Sequence, residues 1–76
     1  MTAHRRAQRP RNLELTPREK TIVTMVAEGF TNKQMAEILG ISLKTVETHR
    51  TAAMQKTGAT CVALLVRYAV RVGLVS

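Results

Sequence analysis

The sequence predicts an all-α domain built from four short helices. Two observations carry that expectation. Four consecutive segments each open on a Ser or Thr and close on a Gly, and the apolar residues between them recur at helical spacing.

Thr16-Pro17-Arg18-Glu19 opens the first segment. Thr16 suits an N-cap, Pro17 the first helical position and Glu19 the third place of a capping box. Ile22, Val23, Val26 and Phe30 follow on one face, and Gly29 suits a left-handed stop. The first helix is expected over about 17–28. Thr31 and Gln34 repeat the capping-box pattern. Met35, Ala36 and Leu39 form the apolar side of a helix at 32–39, ended by Gly40. Ser42 opens a third helix at 43–57, stopped by Gly58. Thr60 opens a fourth at 61–72, stopped by Gly73. Residues 1–13 read as a basic, flexible arm or linker, and 14–76 as the folded domain.

The chain has 76 residues, one domain's worth, and only two aromatic residues, Phe30 and Tyr68. Its core must therefore come from Val, Leu, Ile, Met and Ala, with Met25, Met35 and Met54 as filler. The net charge is +7, a balance that favours nucleic acid or another anionic partner. Arg5, Arg6, Arg9 and Arg11 supply four of those charges; from Glu14 on there are eight basic and five acidic residues. The lone Cys61 rules out an intramolecular disulfide and fits a reducing compartment. No apolar run reaches membrane-spanning length and no secretory signal is expected, so a cytoplasmic protein is expected. With no Asp, two separated His residues and no Gly-rich phosphate loop, neither an enzyme nor a metal or other cofactor is expected.

The connection between the second and third helices carries the functional signal. Ala36, Gly40 and Val46 stand where a helix-turn-helix needs three things: a small residue at the crossing, a left-handed turn and an aliphatic plug. Leu39 and Ile41 would anchor the turn. Rotating the third helix by 100° per residue puts Val46, Ala53 and Thr57 on the buried side, with Arg50 at its edge. Lys44, Thr48, Thr51 and Gln55 point outward, with Glu47 on the flank. That face has hydrogen-bonding groups and no large apolar residue, as a major-groove reader requires.

From Leu15 to Leu74 the chain resembles the LuxR-type, or GerE-like, DNA-binding domain of NarL/FixJ-type response regulators. The resemblance is carried by Leu15-Thr16-Pro17-Arg18-Glu19, Ala27-Glu28-Gly29, Asn32-Lys33-Gln34-Met35-Ala36, Ile41 through Arg50, Tyr68-Ala69 and Gly73-Leu74. It implies a four-helix domain whose third helix enters the major groove of double-stranded DNA. It also implies a homodimer on a two-fold-related site, joined through the fourth helix. Glu47, Thr48 and Thr51 match base-facing positions. Asn32, Lys33, Lys44, Thr45, His49 and Lys56 match or adjoin phosphate-contacting ones.

With the rotation, the expected base-facing set is Glu47, Thr48, Thr51, Gln55 and Lys44. The expected phosphate set is Asn32, Lys33, Thr45, His49, Arg50 and Lys56, and the dimer contact Cys61, Leu64 and Tyr68. Each has a plainer reading: lysines as a solvated face, His49 as a core-edge imidazole, Cys61 as inert packing, Glu19 as a cap and charge partner. Thr57 and Ala53 stand where the family usually has Leu and Ile, so the end of the third helix is expected to pack loosely. Cys61-Val62 replaces a usual Ser-Arg and Leu64 a usual acidic residue, leaving apolar groups at the surface. The function expected is sequence-specific transcription regulation, by the chain itself or as the output domain of a regulator. The alternative is a module like the fourth region of a sigma factor, with RNA polymerase as its partner. A membrane partner is not expected, because the third helix is polar outward.

Overall fold

Thr16 and Glu19 close a capping box at the start of the fold. The Glu19 N–H donates to Thr16 Oγ1 at 3.1 Å, and the Thr16 N–H donates to Glu19 Oε1 at 2.9 Å. Two orphan donors of the helix end are thereby satisfied. Pro17, with no N–H to lose, begins α1, Pro17–Ala27. The structure, a computed structural model, describes residues 14–76; the expected basic arm at 1–13 lies outside the described residues.

Thr31 and Gln34 repeat the box at the start of α2, Asn32–Leu39, with bonds of 3.1 and 2.9 Å. Ser42 accepts from the Thr45 N–H at 3.0 Å and starts α3, Leu43–Thr57. The fourth helix, α4, is Val62–Arg71. These bounds lie within one residue of the expected ones.

The cap of α4 differs from expectation. Cys61 occupies the cap position rather than the first helical one, and no side chain caps the helix. The reason is register: the Leu65 N–H donates to the Cys61 carbonyl at 3.2 Å, which leaves Thr60 one residue too early. Leu65 and Ala69 are then fully buried.

α1 lies at the centre, packed on both α3 and α4, while α2 packs chiefly on α3. Ile22, Val23, Met35, Val46 and Leu65 are the largest fully buried side chains. The core is aliphatic and thioether-rich as expected. Phe30 and Tyr68 pack at its edge.

Thr57 is held at the end of α3 by local hydrogen bonds. Its hydroxyl donates to the Ala53 carbonyl at 2.9 Å, and its oxygen accepts from the Ala59 N–H at 3.3 Å. Thr57 is thus a local tie for the turn into α4, where a leucine would offer no acceptor. Met54 packs beside the core near it.

Candidate nucleic-acid interface

The turn between α2 and α3 sets the geometry of the site. Gly40 sits at φ 70°, ψ 33°, a left-handed conformation that glycine adopts without steric cost. The Ile41 N–H then reaches back to the Ala36 carbonyl at 3.1 Å, and Ile41 packs against the core. Val46, one turn into α3, is fully buried. The three positions that signalled a helix-turn-helix thus hold the small crossing residue, the turn and the plug.

With Val46 and Ala53 buried, the opposite side of α3 is open. Lys44, Glu47, Thr48, Thr51 and Gln55 are all exposed, so the fold brings the expected base-facing set onto one surface. The Thr48 hydroxyl donates to the Lys44 carbonyl at 3.0 Å, which fixes its rotamer and keeps its oxygen able to accept. A major groove admits a helix with such a face, and these groups can read base edges.

The expected phosphate set is divided. Lys33, in the first turn of α2, is exposed, while Thr45 and His49 are half-buried on the flank of α3. Thr45 Oγ1 lies 2.8 Å from Ser42 Oγ. Arg50 Nη1 donates to Asn32 Oδ1 at 2.8 Å, bracing the N-terminus of α2 against α3 and leaving other guanidinium donors free. Lys56 is turned elsewhere: its Nζ lies 2.8 Å from Glu19 Oε1.

Glu19 is 5 % exposed. Burial pushes its carboxyl upward. The Lys56 hydrogen bond, the Thr16 backbone bond and the Lys56 charge together outweigh burial and hold it below the ordinary range. Glu19 is thus both a cap and a charge partner.

The expected dimer residues are spread over α4 and its cap. Cys61 and Leu64 are exposed and Tyr68 is half-buried. Exposed apolar area extends to Val62, Val70 and Val72. Two further exposed apolar residues, Ile38 and Leu43, flank the turn; helical periodicity gives them no role. Among the described residues, no group of His, Cys, Asp or Glu could hold a metal ion, and no helix is long and apolar enough to cross a membrane.

The profile of the family described as bacterial regulatory proteins, luxR family, matches residues 13–69. The chain is 48% identical to the transcriptional regulatory protein MctR of Rhizobium johnstonii, over 82% of this chain and 29% of that protein. It is 43% identical to the tetrathionate response regulatory protein TtrR of Salmonella typhimurium, over 71% of this chain and 26% of that protein. It is 44% identical to the oxygen regulatory protein NreC of Staphylococcus aureus, over 75% of this chain and 26% of that protein. No solved structure matches. The chain spans less than a third of the length of these relatives. It belongs to the luxR family of bacterial regulatory proteins and corresponds to the family's DNA-binding domain.

Proposed function

We propose, from that family membership, that the chain reads duplex DNA with α3 in the major groove, as a dimer on a near-palindromic site. The observation that carries this reading is the exposed polar face of α3, set on a helix pair whose turn is fixed by Gly40, Ile41 and Val46. Lys44, Glu47, Thr48, Thr51 and Gln55 face bases. Lys33, the start of α2, Asn32 with Arg50, and Thr45 with His49 meet phosphates on either side. Lys56 takes a structural part through Glu19.

A half-site of a few base pairs carries too little information for a genome, and a two-fold pair of domains doubles it. Helix α4 is the contact that supports pairing. Its outer surface divides in two by rotation. Val62, Val66 and Val70 form an apolar stripe, while Leu64, Arg67, Tyr68 and Arg71 lie on the other side. A two-fold contact through Leu64 and Tyr68 would set Arg67 and Arg71 against their own copies. The valine stripe has Arg67 and Arg71 at its border rather than at its centre, which lessens that repulsion, and we place the dimer contact there rather than on Cys61, Leu64 and Tyr68.

Selection of bound sequences from a random duplex pool at fixed salt tests the reading. A two-fold-related consensus supports it. Salt-sensitive binding with no consensus would reduce the role of α3 to charge alone.

A further inference from the structure

Helix α4 carries a basic surface that DNA reading does not use. Arg67 and Arg71, one turn apart, border a depression of about 230 Å³ whose walls include Leu64, Tyr68 and Thr57. The Arg71 guanidinium carbon lies 5.8 Å from the centre of the Tyr68 ring, within reach of a cation–π contact. The one ion pair among the described residues joins Glu19 and Lys56, so neither arginine has a carboxylate partner there. Two like charges one turn apart repel, and guanidinium forks match carboxylates two bonds at a time.

The depression faces away from the reading side. Thr57 lines it, and Thr57 and Gln55 point about 160° apart on α3. With Gln55 turned to the bases, the depression looks away from the duplex. A second copy of the chain does not suit it either. The five glutamates are isolated from one another in sequence, and Glu19 is already paired.

We propose that Leu64, Arg67, Tyr68 and Arg71 dock an acidic protein segment while α3 is on DNA. The segment would carry two carboxylates for the arginines and an apolar side chain for Leu64 and Tyr68. Only its coincidence with DNA rests on the reading above.

The test uses fluorescence anisotropy with a labelled peptide of about twelve residues, glutamate pairs alternating with leucine. Its counterpart has glutamine in place of glutamate. The chain should bind the acidic peptide and not the neutral one. Arg67→Glu with Arg71→Glu should weaken binding by about tenfold or more, as removal of charge-assisted hydrogen bonds implies. Lys33→Ala with Lys44→Ala should leave peptide binding within about twofold, and saturating duplex should not displace the peptide. Equal binding by the charge-reversed variant, or by the neutral peptide, would overturn the proposal. So would displacement by duplex, which would mark the surface as a phosphate site. Peptide binding is measured first without DNA, so a failure of the surface is distinct from a failure of α3 to bind DNA.

Discussion

Lys56 Nζ lies 2.8 Å from Glu19 Oε1, so the carboxylate that caps α1 also holds the far end of α3. Residues 37 apart in sequence are joined, so an ion pair ties the end of α3 to the start of α1 beside their apolar contact. Glu19→Gln should cost about 1–2 kcal/mol at neutral pH, less than a fully buried pair because the Lys56 side chain keeps 25% exposure. The native carboxyl is held below its ordinary value of 4.5. Its stabilisation is therefore complete above that pH and is lost as pH falls through the lowered native value. Melting curves from pH 7 to 3 should show the parent losing more stability than Glu19→Gln below about pH 4.5. Parallel losses would show that the pair contributes nothing.

Thr57→Leu should lower stability by about 1 kcal/mol, because the Ala59 N–H loses its acceptor. Thr57→Ser, which keeps the hydroxyl, should cost less than Thr57→Leu. Urea denaturation separates these outcomes from the alternative, an underfilled site that a leucine would fill to advantage.

At Gly40 the cost of a side chain is conformational rather than steric. A Cβ built there meets nothing within 4 Å, yet φ is +70°. Gly40→Asn should be the mildest substitution, Gly40→Ala should cost about 1 kcal/mol, and Gly40→Val more, since a β-branched residue resists the left-handed region. Thermal melts rank the three; an indifferent Gly40→Val would mean that the turn can relax.

The caps and stops were legible in the sequence because capping is local. Thr16 with Glu19, and Thr31 with Gln34, act across three residues, a separation that sequence shows directly. The open face of α3 was legible for a similar reason: once Val46 is inside, rotation places Thr51 and Gln55 outside. The pairs Glu19–Lys56 and Asn32–Arg50 were not, because they depend on how helices cross, which spacing along one helix does not determine. Cys61 stands one residue from its expected place because Thr60 is the better cap by chemistry, and the buried register of Leu65 and Ala69 prevails.

Those pairings change the expected salt dependence of DNA binding. With Lys56 held by Glu19 and Lys44 turned to the bases, the folded-domain cations left for phosphates are Lys33 and the remaining donors of Arg50. Each phosphate neutralised contributes about −0.9 to the slope of log K against log salt, so these two should contribute about −2 per protomer. Lys33→Ala should flatten the slope by about one unit on every sequence. Lys56→Ala should lower the melting temperature and barely move the slope. Equal flattening by the two would mean that Lys56 leaves Glu19 to reach DNA.

Specificity and symmetry can be tested together. Thr48 and Thr51 each offer an oxygen and a methyl group, suited to a base edge or a thymine methyl. Thr48→Ala and Thr51→Ala should therefore alter preference at a few positions, by about 1–3 kcal/mol for each base interaction removed, with little change in non-specific affinity. Lys44 can donate to guanine, Glu47 can accept from cytosine N4, and Gln55 can pair with adenine. Half-site centres should lie about 10 bp apart, one helical turn, if two domains meet about a dyad. Val70 is 51% exposed on the valine stripe, so a charge there should be harmless to the free domain and costly at a two-fold contact. Val70→Glu should weaken binding to the full site while leaving half-site affinity and the fold unchanged. Leu64→Glu, on the arginine side, should affect the full site far less. Footprints of an asymmetric site covering one protomer, with Val70→Glu binding normally, would remove the dimer. A larger effect at Leu64 than at Val70 would keep the dimer and move its contact to the other side of α4.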